Sequence, residues 1–213
     1  GLRDYGHRDQ LGSEATPDEY VANMVAVFRL VRDTLKDDGS LWLNLGDTYA
    51  SRRFGDIKAK DLVGIPWRVA LALQSDGWYL RSDVIWSKPN PMPEPAHDRP
   101  SRSHEYVFLL TKNHQYWFDR DAVREPHTES TLMRIENGLK HRHPHGLGVG
   151  IPPVDTDRMG ERFAPPGGRN IRSVWTITTQ SYSGAHYATF AEKLVEPCVK
   201  ASSRPGGIVL DPF

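Results

Sequence analysis

The fold is indicated first by Ile208-Val209-Leu210-Asp211-Pro212-Phe213, an apolar run that follows Pro205-Gly206-Gly207. A short apolar run bounded by turn residues predicts a buried strand. Open α/β sheets hold ligands outside the carboxyl ends of their strands, which is where Asp211 would lie. We therefore expect a ligand site at Asp211, and we expect that the sequence is cut at this site.

Upstream of that run, predicted helices and strands alternate. Thr16 begins the first helix because it can cap the free amides, while Pro17 suits the first turn. The predicted elements are a helix from Thr16 that stops at Asp37-Asp38-Gly39, a strand at 40–45, a helix at 61–75, a strand at 79–87, a hairpin of 105–111 with 115–119, and a helix at 190–201. This alternation is typical of a layered α/β sheet.

The composition limits the classes of function. Of the 213 residues, 27 are Lys or Arg and 27 are Asp or Glu, so any basic surface has to be local. The single cysteine, Cys198, excludes an intrachain disulfide and disfavours a zinc site built on thiolates. With no long apolar run and no signal-peptide pattern, we expect a cytoplasmic protein that does not enter a membrane.

The middle of the sequence departs from the alternating pattern. Residues 120–172 are rich in Pro, Gly, Arg and His and show little periodicity. A segment of this length is either a long functional loop or a small inserted lobe. We therefore divide the chain into residues 1–119, an insertion at 120–172, and residues 173–213.

The densest polar cluster lies at 86–105, after the second predicted strand. Lys88, Arg99 and Arg102 can neutralise phosphates, and Asn90 can hydrogen-bond a base edge. Three prolines between 89 and 93 stiffen this loop, so it would lose little entropy on binding. The same composition also fits a solvated connection with mixed charges.

Two further clusters contain histidine. Residues 184–190 form a small-residue turn before the last predicted helix, where free amides suit a carboxylate. The alternative is a plain helix cap with His186 at the surface. His141, His143 and His145 do not match metal-ligand spacing, so we predict no metal site. That basic stretch either touches a phosphate backbone or is an inert loop.

Together these segments resemble the DNA amino-methyltransferases, in the permuted arrangement whose catalytic half precedes the cofactor half. The resemblance covers about Gly1 to Trp117 and Val174 to Phe213. It implies a Rossmann-like, S-adenosylmethionine-dependent methyltransferase sheet that is incomplete in this chain and carries an inserted target-recognition lobe. The residues that it assigns to the cofactor are Asp211, Pro212, Phe213, His186, Ala188, Thr189 and Phe190. Ala191 departs from the family, which usually has proline there.

The resemblance also implies the reaction. In this family a catalytic tetrapeptide, an acid or serine followed by Pro-Pro-Tyr, holds the exocyclic amine of a flipped base, which attacks the cofactor's methyl group. Gly1-Leu2-Arg3-Asp4-Tyr5-Gly6 resembles the stretch directly after that tetrapeptide, so we expect the tetrapeptide just before Gly1 and no activity from this chain alone. The loop at 86–94 and the start of the chain favour cytosine N4 over adenine N6.

The implied partner is double-stranded DNA. The predicted DNA contacts are Lys88, Asn90, Arg99, Arg102 and Arg142, with further basic residues of the lobe at Arg134, Lys140, Arg158, Arg162 and Arg169. A cognate restriction endonuclease is a candidate partner, and a bacterial or phage source is expected. We also expect Gly1 and Phe213 to form opposite walls of one pocket.

Two alternatives belong to other classes. A dinucleotide-dependent oxidoreductase shares the sheet pattern, but no G-x-G-x-x-G follows a predicted strand. A non-catalytic DNA-binding module fits the basic residues equally well. The recognised DNA sequence and the oligomeric state are not encoded in these motifs.

Overall fold

A computed structural model describes residues 10–133, 167–180 and 190–212. The chain divides into two compact units. One comprises Gly1–Phe118 with Ser173–Phe213, and the other is Asp119–Arg172. The assignment of separate roles to these segments stays a prediction.

Helix α1, Pro17–Thr34, begins as the sequence predicts. The Thr16 hydroxyl accepts a hydrogen bond from the Glu19 amide at 3.2 Å, and Pro17 occupies the first turn. Asp18 and Glu19 add negative charge at the positive end of the helix dipole. The helix ends one residue before Leu35, whose backbone is extended.

The sheet has four strands in the order β1-β3-β2-β4: β1 is Ser40–Leu45, β2 is Tyr79–Ser87, β3 is His104–Thr111 and β4 is Val174–Thr176. Strand β3 runs antiparallel to both of its neighbours, and β2 pairs with β4 in parallel. Strands β1 and β2 have the predicted bounds because turn residues delimit both runs.

The predicted hairpin after β3 is wrong, since residues 115–119 form no strand. The Thr111 hydroxyl donates to the Asn113 carbonyl at 2.8 Å and tightens the turn. The Trp117 amide then bonds to the Asp38 carbonyl at 2.9 Å instead of to β3. The ring centres of Tyr116 and Trp117 lie 5.6 and 4.2 Å from the guanidinium carbons of Arg81 and Arg204.

Helix α2, Ile65–Ser75, starts four residues later than predicted. Residues 61–63 are held out of the helix by backbone bonds to the loop after β1, in which Ala50 donates to Asp61 and Val63 donates to Thr48 at 2.9 Å. The Gly77 amide bonds to Gln74 and ends the helical region, as the sequence predicts.

Helices cover both faces of the sheet. Phe28 of α1 and Leu73 of α2 are fully buried with Phe108 of β3 in one core cluster. On the other face, Trp42 of β1 donates from its indole to the Ser202 hydroxyl at 2.5 Å. Ser202 ends helix α3, Glu192–Ser202, so this unit has three layers with the sheet in the middle.

The predicted buried strand at 208–210 is wrong. These residues form no strand, and Ile208 is 92% exposed. A strand buried on both faces requires neighbouring strands and covering layers. None of the four described strands pairs with this run.

The second unit is closed where its two ends meet. Glu125 and Arg169 exchange backbone bonds at 2.9 and 2.8 Å. The Glu125 carboxylate also accepts from the side chains of Arg169 and Arg172, at 3.1 and 2.9 Å. Gly168 allows this close approach, because a Cβ there would lie 2.2 Å from the Glu125 carbonyl oxygen.

Among the described helices, none combines the length and the apolar character needed to cross a bilayer.

Candidate functional site at the carboxyl edge of the sheet

Loops that carry the predicted polar residues meet at one edge of the sheet. Strands β1, β2 and β4 all end at this edge, and β3 begins there because it is antiparallel. The connections after β1 and β2 are residues 46–64 and 88–103. Open α/β sheets place their ligands at this edge, so these two loops and the segment after Thr176 form the candidate site.

The 88–103 loop is fixed at its base by Lys88. The Lys88 amide donates to the Ser103 carbonyl at 2.7 Å, which joins the first and last residues of the loop. Its ammonium group pairs with the Glu105 carboxylate and lies 4.2 Å from the centre of the Trp86 ring. The Lys88 charge is therefore engaged within the protein.

Asn90 ties the loop to the segment after β4. Its amide nitrogen donates to the Thr179 hydroxyl at 2.9 Å, and its amide oxygen accepts from the Thr179 backbone at 3.1 Å. Both halves of the Asn90 amide therefore have an intramolecular partner. Asn90 itself lies on the exposed side of the loop.

Arg99 and Arg102 both lie against the ring of Tyr49. The guanidinium carbons are 3.7 and 5.2 Å from the ring centre, respectively. Arg99 also pairs with the Glu94 carboxylate, and Arg102 donates to the Asp47 carbonyl at 2.6 Å. The hydrogen bond from Arg99 lowers the pKa of Glu94 below its ordinary value, and Glu94 in turn raises the pKa of Arg99.

Asp47 caps helix α2 from the loop after β1. One carboxylate oxygen accepts from the backbone amides of Thr48, Gly64 and Ile65, at 2.8, 2.9 and 3.0 Å. Gly64 precedes the helix in a left-handed conformation, with φ of 76°, and has no side chain that could cap. Asp47 thus supplies the acceptor that the local sequence lacks.

The sequence analysis missed Asp47 and Tyr49 as parts of this site. A signal for Asp47 exists, because Gly64-Ile65-Pro66 begins a helix without a capping side chain. For Tyr49 no local motif was available, since its role depends on which loops meet.

Comparison with known proteins decides the family. A family model described as DNA methylase matches residues 3–213. The Type II methyltransferase M.SmaI from Serratia marcescens is 42% identical over 234 residues, with 100% of this chain and 68% of the relative covered.

The chain belongs to the DNA amino-methyltransferase family.

Solved structures confirm the predicted fold class. The PvuII DNA methyltransferase, described as cytosine-N4-specific, superposes with a TM-score of 0.57 at 17% identity and covers 94% of this chain and 60% of its own. A Thermus thermophilus protein described as a putative DNA modification methylase, complexed with S-adenosyl-L-methionine, gives a TM-score of 0.51 at 21% identity, with 92% of this chain and 63% of its own covered. Both likenesses show the fold, an incomplete Rossmann-like methyltransferase sheet in the described residues.

The chain spans 68% of the length of the Serratia marcescens relative and 66% of the length of two other Type II methyltransferases, so the activity of the whole protein is a proposal.

The residues predicted to hold a cofactor fall in two groups. Phe190, Asp211 and Pro212 are described, and all three are exposed. The other four lie outside the described residues: His186, Ala188, Thr189 and Phe213. Gly1 lies outside them too, so the expected proximity of Gly1 and Phe213 stays a prediction.

The N-terminus of α3 takes its cap from another segment of the chain. Ala191 precedes the helix and makes no side-chain cap. The side-chain oxygen of Gln180 accepts from the Glu192 amide at 3.3 Å. The first turn of the helix thus takes an acceptor from outside the helix, and a carboxylate would be such an acceptor.

The remaining predicted contacts lie in the inserted segment. Arg142 and the three neighbouring histidines are outside the described residues, as are Arg134, Lys140, Arg158 and Arg162. Arg169 is described and pairs with Glu125. Within residues 10–133, 167–180 and 190–212, no cluster of three or more His, Cys, Asp or Glu side chains could hold a metal ion.

Proposed function

We propose that this protein is a site-specific DNA methyltransferase that transfers the methyl group of S-adenosylmethionine to an exocyclic amine of a DNA base. The observation that carries the proposal is the match of a DNA methylase family model to residues 3–213. Relatives that are 40–42% identical over the whole chain are named Type II methyltransferases. We favour cytosine N4 over adenine N6, on the resemblance of the 86–94 loop and of residues 1–6.

The reaction exchanges one bond for another. The amine nitrogen forms a bond to the methyl carbon, the bond from that carbon to the sulfonium sulfur breaks, and the amine loses one proton. S-adenosylmethionine supplies the activated methyl group when it is bound. Because the amine lone pair is delocalised into the base, an acceptor for the amine hydrogens raises its nucleophilicity.

This chain contributes the binding and orientation of the reactants. We assign the cofactor to Asp211, Pro212, Phe213, His186, Ala188, Thr189 and Phe190. The exposed Phe190 and the start of α3, whose Glu192 amide already donates to an acceptor outside the helix, support that assignment, since an adenosyl ring and a methionine carboxylate need an apolar contact and amide donors. The 88–103 loop, anchored at Lys88 and Asn90, would face the target strand.

DNA is the proposed substrate, and the target base has to leave the duplex. Extrusion of a base costs about a few kcal/mol, which the protein has to offset by contacts to DNA. Arg142 and the other basic residues predicted in the insertion are our candidates for those contacts, together with Asn90. A restriction endonuclease that cuts the same sequence is the proposed biological partner, in a bacterial or phage-encoded system.

The test follows a labelled methyl group. Unmethylated plasmid DNA is incubated with S-adenosylmethionine labelled in its methyl group and then digested to nucleosides. We expect label in N4-methylcytosine from the whole protein that contains residues 1–213.

Two results would change the proposal. Label in N6-methyladenine would reject the choice of cytosine. DNA binding by the whole protein without any label would favour the non-catalytic DNA-binding module.

A further inference from the structure

Arg99 has the surroundings of an internal contact. Its guanidinium carbon is 3.7 Å from the centre of the Tyr49 ring, close enough for the planar group to stack. A guanidinium nitrogen pairs with the Glu94 carboxylate, and the Arg99 side chain is only 29% exposed. A phosphate that approached Arg99 would have to displace Glu94 or the ring.

Arg102 approaches the same ring from the end of the loop. One guanidinium nitrogen donates to the Asp47 carbonyl at 2.6 Å. A second guanidinium nitrogen of Arg102, Nη2, is buried and has no hydrogen-bond partner among the described residues. Two cations next to one ring repel each other, and the Glu94 carboxylate on Arg99 offsets this repulsion.

These contacts connect three parts of the carboxyl edge. Tyr49 and Asp47 belong to the loop after β1, and Asp47 caps α2. Glu94, Arg99 and Arg102 belong to the loop after β2. We call these five residues the tyrosine clamp. The opposite arm of the 88–103 loop is fixed separately, at Asn90 and Thr179.

We infer that Arg99 and Arg102 are positioning residues for methyl transfer, which hold the 88–103 loop on Tyr49 and Glu94 instead of contacting DNA phosphates. This inference rests on the proposed function. The contacts of Arg99 and Arg102 hold the loop in one geometry before the substrate binds. The stretch from Asn90 to Pro93, in which Met92 is 83% exposed, then meets its substrate without first having to be ordered.

Substitutions that keep charge but lose geometry test the inference. Lysine retains the positive charge of Arg99 but loses the planar stack and the forked donors. We expect Arg99→Lys and Glu94→Gln each to lower kcat/KM for methyl transfer by about tenfold. Tyr49→Leu should behave like them, whereas Tyr49→Phe, which keeps the ring, should retain most of the activity.

The salt dependence of DNA binding separates positioning from phosphate contact. A cation that neutralises one phosphate contributes about 0.9 to the slope of log K against log salt. Using fluorescence anisotropy of a labelled duplex cut from the plasmid substrate, we expect Arg99→Gln to leave the slope unchanged. If Arg99 contacts phosphate, the slope falls, Arg99→Lys retains activity, and Glu94→Gln raises kcat/KM by releasing the arginine. That pattern would overturn the inference.

A matched ion pair on the other side of the molecule serves as the control. Arg29 of α1 pairs with Asp76, which follows α2 at the opposite edge of the sheet. Arg29→Lys should change neither kcat/KM nor the salt slope. Thermal melts verify that every variant is folded. If the whole protein that contains residues 1–213 transfers no methyl group, the proposed function fails, whereas transfer with the phosphate pattern rejects only the clamp.

Discussion

Removal of the Asp47 carboxylate is expected to uncap helix α2. Asp47→Ala takes away one acceptor from three backbone amides, two of which belong to the start of the helix, Gly64 and Ile65. Substitution of an N-cap residue by alanine costs about 0.5–2 kcal/mol, and hydrogen bonds to a charged group contribute about 1.5–3 kcal/mol each. Water can replace part of this at a half-buried site, so we expect a loss of about 2–3 kcal/mol in the free energy of unfolding.

Urea unfolding followed by far-UV circular dichroism measures this loss. Asp47→Asn keeps an acceptor oxygen and loses mainly the charge near the helix dipole, so its cost should be about 1 kcal/mol or less. Asp98→Ala is the matched control, because the Asp98 side chain is 72% exposed and its carboxylate forms an ion pair with Lys60 at 3.8 Å. That control should lie within about 0.5 kcal/mol of the wild type.

The outcome also separates capping from the clamp. Arg102 bonds to the backbone carbonyl of Asp47, which both substitutions keep. The reasoning is refuted if Asp47→Ala changes the stability by less than about 0.5 kcal/mol, or if Asp47→Asn is as damaging as alanine.

Three further predictions concern other parts of the chain. Gly168→Ala should cost at least about 2 kcal/mol and should raise hydrogen exchange at the Glu125 amide, because Gly168 has a φ of 116° and its added Cβ would meet the Glu125 carbonyl at 2.2 Å. Glu94→Gln should lower the free energy of unfolding at pH values above the ordinary glutamate pKa of about 4.3, because Arg99 lowers the pKa of Glu94 in the folded protein. In urea titrations, the difference in unfolding free energy between this variant and the wild type should vanish as the pH falls through that lowered pKa. Cys198 should react with a thiol reagent about 100-fold or more slowly in the native protein than in urea, because burial raises the pKa of its thiol to about 12.

Controls for these predictions lie in the same chain. Gly46→Ala introduces a Cβ with no atom within 4 Å, so it should leave hydrogen exchange in the second unit unchanged. Glu196→Gln removes a carboxylate that is paired with Lys200 at 2.6 Å within α3, and both of these side chains are more than half exposed. Because solvent screens an exposed pair, the stability of Glu196→Gln relative to wild type should depend less on pH than that of Glu94→Gln.

Local patterns were sufficient for the start of α1 and for the bounds of two strands. Thr16 and Pro17 act on amides within one turn, so the start of α1 is decided by neighbouring residues. The bounds of β1 and β2 follow from turn residues that flank apolar runs. The pairing of strands depends on distant residues, which is why the run at 115–119 was wrongly paired: its Trp117 amide bonds to Asp38.

The candidate site was only partly predictable for the same reason. The polar cluster at 86–105 was predicted from its composition to be a functional loop, with a solvated connection as the alternative, and its prolines indicated a stiff backbone. The partners of its side chains could not be predicted, because Tyr49 and Thr179 come from other loops. An arginine that meets a tyrosine and a glutamate inside the protein has the same sequence signature as one that meets a phosphate.

The pairing of charges in this loop bears on how DNA would be bound. Lys88 pairs with Glu105 and Arg99 with Glu94, so two of the three cations in this loop that were predicted to contact DNA are already neutralised. Such a loop contributes little to the counterion release that drives non-specific binding. Its contribution is geometric, and salt-dependent affinity is then expected from basic residues outside the loop, for which Arg142 is our first candidate. Arg142→Gln should therefore reduce the slope of log K against log salt by about 0.9, while Lys88→Gln should not.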